Sequence, residues 1–374
     1  MSNRIYLDYN ATAKIRPEVI DALAISMSTV GNASSVHTAG REARKSVETA
    51  RRQVADLVGA AAEQVIFTSG GTEADNQVMR PCDPARTFVS AIEHPAVLDS
   101  CPGASRIPVK GNGVIDLEAL DNSLTASNSP QMLALMLANN ETGVIQPVAE
   151  AVEIAQRHGA LVHCDAVQAV GKISVDFNAL GPDTMALTGH KFGGPQGIGA
   201  LILRSPESTK CLISGGGQER GLRGGTESVA HIIALGLAAE IAAERMKEYA
   251  DLAVLRDGME ARLLATTPGA RVFGSDAPRL PNTSKLLMPG VSSEIQVISF
   301  DMAGIEVSAG SACSAGRIEP PYVLRAMGVS DQDALCALRV SLGWDTTEAE
   351  IDRFVDEWGR IIARAGSGIA ICPE

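Results

Sequence analysis

Several polar residues stand where short apolar runs stop, and their types could do chemistry together. His94 follows TFVSA (87–91), Asn139-Asn140-Glu141 follow MLALMLA (132–138), and Asp165 and Gln168 follow LVHC (161–164). His190 and Lys191 follow TMALT (184–188), with glycines at 193, 194, 197 and 199 that would let backbone approach a bulky ring. A lysine there is either a solvated strand-end charge or an amine poised to form a Schiff base. His163 and Asp165 share one face of their strand and Cys164 takes the other, which argues against one metal holding all three. Asp165 is then either a structural carboxylate or the partner of a protonated ring nitrogen. GGTEADN (70–76), after VIFTS (65–69), reads as a tight turn opening a helix. That turn is either capped by Thr72 or left open, so that its N–H groups and the helix dipole favour an anion.

A further candidate is a thiol. SAGSACSAG (308–316) sets Cys313 among eight Ser, Ala and Gly residues. It reads as an inert small residue, a metal ligand, or a nucleophile that must move. With the other cysteines (82, 101, 164, 211, 336 and 372) it makes an odd total of seven with no C-x-x-C pair, so neither a disulfide framework nor a zinc knuckle is indicated.

The elements that must position these groups follow from apolar patterning. Continuous runs at 65–69, 87–91, 132–138, 161–164, 184–188 and 200–203 alternate with helical stretches such as 147–159. This predicts a mostly parallel sheet covered on both faces, with ligands bound beyond the strands' carboxyl ends. Residues 17–28 and 41–58 are expected to be helices, the second with Ala43, Val47, Ala50, Val54, Leu57 and Val58 on one face. Near residue 250 the pattern shifts to short strands at 283–288 and 336–342 among helices. A last helix starts at Thr347 and Glu350, spaced as a capping box, and carries an apolar stripe of Ile351, Phe354, Val355, Trp358, Ile361 and Ile362. The expected division is a large α/β domain over 14–255 and a smaller α+β domain formed by 1–13 and 256–374.

Totals exclude other classes. The 374 residues carry a net charge of −12 with no Lys/Arg-rich run, so neither nucleic acid nor an anionic membrane is an expected partner. The opening MSNRIYLDYN has no apolar signal core, and the apolar stretch 232–243 is too short to span a bilayer, so a cytoplasmic location is expected. There is no G-x-x-x-x-G-K-[ST], hence no nucleotide P-loop. A phosphate cradle, a stacking His94, the ring-nitrogen carboxylate Asp165 and a Schiff-base Lys191 on successive strand ends together describe a site for pyridoxal 5′-phosphate.

The chain resembles the NifS/IscS-type cysteine desulfurases, within the class V aminotransferase group of fold-type I pyridoxal-phosphate enzymes. The resemblance runs nearly end to end, through YLDYNATA (6–13), SGGTEADN (69–76), EHPAVL (93–98), NNETGVIQP (139–147), HCDAVQAVGK (163–172), TGHKFGGPQGIGAL (188–201), GGGQERGLRGGTE (215–227) and LRVSLG (338–343). SAGSACSAG followed by EPPYVLRAMG (319–328) marks a desulfurase. The resemblance implies that Lys191 forms the Schiff base and shuttles the α-proton, Asp165 pairs with the pyridine nitrogen, Gln168 bonds the phenolic oxygen, and His94 stacks on the ring and helps with proton transfer as a further catalytic residue. Gly71, Thr72, Thr188 and His190 would hold the phosphate, and Thr226 the phosphate of the other subunit, which implies a homodimer. Asn140, beside the cofactor, and Arg339 would bind the substrate carboxylate. Cys313 would take sulfur from L-cysteine as a persulfide, release L-alanine, and pass sulfur to an acceptor such as an iron–sulfur scaffold. The small residues around it would let the loop swing. No resident metal is implied, although Cys313 could transiently ligate a shared Fe–S cluster. Two departures are Ala33, where family members often carry Pro, and an ending at ICPE without the longer tail some members use to dock a scaffold. Selenocysteine lyase, or another class V transaminase or lyase, is the alternative activity. A degenerate homologue acting as a scaffold is disfavoured by the presence of both Lys191 and Asp165.

Overall fold

A computed structural model describes residues 4–309 and 319–366, so Cys313 lies outside the described residues. The strands are β1 (Ile5–Tyr6), β2 (Val65–Thr68), β3 (Thr87–Ser90), β4 (Ser105–Ile107), β5 (Met132–Ala134), β6 (Leu161–Asp165), β7 (Thr184–Thr188), β8 (Gly199–Leu203), β9 (Arg271–Val272), β10 (Thr283–Leu287), β11 (Ile305–Glu306) and β12 (Ala337–Ser341). Seven of them form one sheet in the order β2-β8-β7-β6-β5-β3-β4. Only β8 runs antiparallel to its neighbours. Both faces are covered, which is why these strands are continuous apolar runs rather than alternating ones. The expected α/β class with a mostly parallel sheet holds.

The helix Thr38–Leu57 buries Ala43, Val47, Ala50, Val54 and Leu57, spaced by three or four residues, against the sheet and the helix Val229–Glu244. The two helices come very close. A Cβ built on Gly236 would sit 2.6 Å from Ala50 Cα, so only glycine fits there. The run 132–138 is shorter as a strand than expected, ending at Ala134, although Leu135 N and Leu137 N still donate to His163 O and Asp165 O. Sequence patterning missed β1, β4, β9 and β11, which are two or three residues long.

A second core gathers Ile5, Leu7, Phe300, Leu338, Val340, Ile351, Phe354 and Trp358. The antiparallel strands β12-β10-β9 and the parallel pair β1-β11 frame it. The helix Glu348–Gly366 opens with the expected capping box: Thr347 N donates to Glu350 Oε2 at 2.8 Å, and Glu350 N to Thr347 Oγ1 at 3.4 Å. Phe354 of its stripe stacks on Phe300 with ring centroids 4.8 Å apart, a pairing worth roughly 0.5–1.5 kcal/mol beyond area burial. Trp358 buries its ring and satisfies its Nε1 at Thr267 Oγ1, 3.0 Å away. The helix Met246–Thr266 already contributes Tyr249 and Leu252 to this core.

Candidate active site

A cavity of about 800 Å³ opens beyond the carboxyl ends of β2, β3, β5, β6 and β7. Gly71, Thr72, His94, Asn140, Asp165, Gln168, Thr188, His190, Lys191 and Arg339 all line it. So do Ala309 and Glu319, which bracket the segment carrying Cys313. Thr226 is exposed and does not line the cavity of its own chain.

One end suits an anion. The helix Gly71–Met79 has Gly70, not Thr72, at its N-cap, and no side chain caps it. Thr72 is therefore helical, and the first-turn N–H groups are left to the cavity. A Cβ on Gly71 would lie 2.7 Å from Val167 Cγ2, so this turn requires glycine. Glu73, the acid of the first turn, is drawn aside: it accepts from Ser69 N at 2.8 Å and pairs with Arg223 at 2.9 Å. Thr188 Oγ1 donates to Ile198 O at 3.1 Å. His190 Nδ1 lies 3.2 Å from Thr12 Oγ1. Burial, with Lys191 and Lys172 nearby, pulls His190 down to about 4 and keeps it neutral.

The middle of the cavity suits a ring with a basic nitrogen. Asp165 is buried, and its Oδ1 accepts from Val167 N at 2.9 Å. Burial and the neighbouring Asp75 push it up to about 6 despite the pull of His94, so a cation at this carboxylate would be well matched. His94 caps the short helix Pro95–Leu98 by accepting from Ala96 N at its Nδ1, 3.1 Å, which leaves the Nε2 as donor. Burial lowers its pKa. Gln168 donates from Nε2 to Asn10 O at 2.9 Å and accepts from Lys172 Nζ at Oε1, 2.7 Å. Lys172 thereby fixes the amide with its NH₂ group as the remaining donor.

Lys191 has no carboxylate in contact. Its Nζ donates to Asn10 O at 2.6 Å and Ala11 O at 2.8 Å. Burial, then the charge of Arg339, brings it down to about 8. In the cofactor-free protein, acetylation of Lys191 by acetic anhydride, followed by peptide mass spectrometry, is expected to rise through about pH 8. A midpoint at the ordinary lysine value of about 10.4 would contradict this environment.

The far end suits a carboxylate. Arg339 donates to Asp8 Oδ1 at 2.7 Å and to Asn140 O at 3.1 Å. Its Nε and the Asn140 Oδ1 are buried and have no partner among the described residues. Unpaired buried polar atoms beside a cavity mark the place of a polar ligand.

Asn10, Lys172 and Asp75 were not singled out in the sequence. Asn10 bonds Lys191, Gln168, Lys172, Asn282 and Thr283, with Ser341 Oγ accepting its N–H. It sits in a segment whose partners lie hundreds of residues away, so no local spacing reveals it. Asp75 could have been noticed as a carboxylate one helical turn after Gly71. It meets His163 Nε2 at 3.0 Å, and both are buried. Burial pushes Asp75 up to about 8 and His163 down to about 4, so both are neutral at pH 7. A carboxyl raised from 3.8 to about 8 costs stability that appears as pH climbs above 3.8 and is absent below it. Discounting that shift by half still leaves about 3 kcal/mol at pH 7. Asp75→Asn is therefore expected to raise the melting temperature of the cofactor-free protein at pH 7 by several degrees, and to change it little at pH 3.5.

The donors fit pyridoxal phosphate: an uncapped helix start for its phosphate, Asp165 for its ring nitrogen, Gln168 for its phenolic oxygen and Lys191 for its aldehyde. Among the described residues no helix is long and apolar enough to cross a membrane.

The chain is similar to known proteins over most of its length. Residues 5–354 match the family described as aminotransferase class-V. A cysteine desulfurase of Cereibacter sphaeroides is 44% identical, the match covering 94% of each chain. The NifS-like protein of Rickettsia africae ESF-5 superposes with a TM-score of 0.90 at 35% identity, covering 96% of this chain and 100% of that one. SspA, in a structure with cysteine bound, superposes at 0.78 with 27% identity, covering 90% of this chain and 98% of that one.

Proposed function

The chain belongs to the aminotransferase class-V family and is a cysteine desulfurase, and from that premise we propose how its residues divide the work. Gly71, Thr72, Thr188 and His190 would hold the phosphate of pyridoxal phosphate, and Asp165 its ring nitrogen. His94 would stack on the ring, and Gln168 would donate to the phenolic oxygen. Bound there, the cofactor supplies an electron sink that weakens the bonds at the substrate's α- and β-carbons. Asn140 and Arg339 take the carboxylate of L-cysteine. Lys191, desolvated and free of any contacting carboxylate, holds and returns the α-proton at its Nζ. Cys313 attacks the substrate sulfur as a thiolate. The Cβ–S bond breaks, its electron pair stays with the three-carbon fragment, and protonation gives L-alanine. The enzyme keeps the sulfur as a Cys313 persulfide, ready for an acceptor protein such as an iron–sulfur scaffold. Thr226, exposed and away from its own cavity, is assigned to the phosphate of a second subunit in a homodimer.

The single observation that carries this reading is the convergence, in one cavity, of the uncapped helix start, Asp165, Lys191 and Arg339, with both flanks of the Cys313 segment on its wall. The test is product analysis. Loaded with cofactor and given L-cysteine with a reducing thiol, the protein is expected to release alanine and sulfide in equal amounts. Formation of pyruvate and ammonia, or amino transfer to a keto acid without sulfide, would assign it to the lyases or transaminases instead.

A further inference from the structure

Lys285 and Glu141 form an ion pair in which both side chains are fully buried, 3.0 Å apart. Isolated charges are not kept in such a place without reason, because replacing a buried pair with apolar side chains of similar volume is often neutral or stabilising. The pair's surroundings supply the reason. Lys285 lies on β10 directly opposite Arg339 of β12, so the two side chains share a face. Its Nζ donates also to Ala309 O at 2.9 Å. Ser308, just before it, exchanges two backbone hydrogen bonds with Arg339, at 2.7 and 3.2 Å. Glu141 lines the cavity and follows Asn140, whose carbonyl accepts from Arg339 Nη1. One ammonium thus ties together the two segments that flank the guanidinium. The other oxygen of Glu141, Oε1, is buried with no partner among the described residues, so Lys285 is the charge that offsets it.

We propose that Lys285 is a positioning residue for substrate recognition, holding the Asn140–Glu141 turn and the Ser308–Ala309 segment on either side of Arg339 through its paired bonds to Glu141 and Ala309. This rests on the assignment of Asn140 and Arg339 to the substrate carboxylate. A turn released from Lys285 would let Asn140 drift, and a displacement of about 1 Å is enough to lose much of a site's affinity.

The test uses the cofactor-loaded enzyme in three forms: Lys285→Met, the double variant Lys285→Met with Glu141→Leu, and Arg339→Lys. Each is measured for melting temperature, for L-alanine affinity by calorimetry, and for kcat and KM with L-cysteine. Lys285→Met, which strands a buried carboxylate, is expected to melt earlier. The double variant removes both charges and regains the melting temperature, while its L-alanine affinity and KM stay worse by about tenfold with a smaller change in kcat. Recovery of affinity and KM along with stability would overturn the proposal, because the pair would then serve packing alone. Unchanged affinity and KM in Arg339→Lys would instead overturn the carboxylate assignment on which the proposal stands.

Discussion

Replacing Cys313 by alanine is expected to lower alanine and sulfide release from L-cysteine by on the order of 10³-fold or more, with the cofactor still bound and still yellow. The size follows from the role. Without a thiolate to accept sulfur, the Cβ–S bond has no partner to which sulfur can pass, and no other described cysteine can stand in. Cys101, Cys164 and Cys336 are buried, Cys82 and Cys211 are half-buried, and none lines the cavity. Burial pushes the Cys82 thiol up to about 11 and raises Cys101 and Cys164 as well, so these are poor nucleophiles at pH 7. Mass spectrometry after one turnover without reductant should find one extra sulfur on wild type, on the peptide containing Cys313. If Cys313→Ala turns over as wild type does, the thiol is a bystander and a cysteine-independent lyase or transaminase becomes the better description.

Lys191→Ala is expected to be as damaging, by about 10²–10⁴-fold in alanine formation, for a different reason. The cavity holds other bases, but His94 is committed at Nδ1 to Ala96 N, and His190, pulled down to about 4, is a weak base and is turned to Thr12. Lys172 is also desolvated, with its pKa well below the ordinary lysine value. It cannot substitute, because its Nζ is spent on Asn10 Oδ1 and Gln168 Oε1, behind the cavity wall. The measurement is single-turnover alanine formation, together with retention of cofactor on gel filtration. The variant should lose cofactor faster than wild type, yet not at once, since the helix start at Gly71 and the Asp165 carboxylate remain. Near-normal alanine formation would move the proton-transfer role to another residue.

What the sequence made legible was what repeats or ends locally. Apolar runs located β2, β3, β6, β7 and β8, and the polar residues after them proved to be the cavity wall, from Gly71 to Lys191. The stripe from Ile351 to Ile361 and the Thr347–Glu350 box were readable for the same reason. Local propensity left one cap open between two readings: Thr72 is a good capping residue, but Gly70, closely packed against Gly199, takes the position and no side chain caps the helix. Asn10 and Lys285 were invisible because their meaning is entirely long-range. Nothing within ten residues of Lys285 announces that it will face Glu141, 144 positions earlier. The reversed direction of β8 was likewise unreadable, since an apolar run has the same composition either way.

The carbonyls of Asn10 and Ala11 that receive Lys191 belong to a segment anchored far down the chain. Ile5 pairs with Ile305, Tyr9 N donates to Ser341 O, and the Tyr9 hydroxyl bonds Asp345. During synthesis these first residues must wait about 300 codons for their partners, roughly 15 s to a minute at ordinary elongation rates. The Lys191 amine therefore acquires its setting only after residues 305–341 have been made. Ribosome-bound chains stopped before Ser341 are expected to lack the lowered Lys191 pKa, so sulfur extraction waits until that strand has been made.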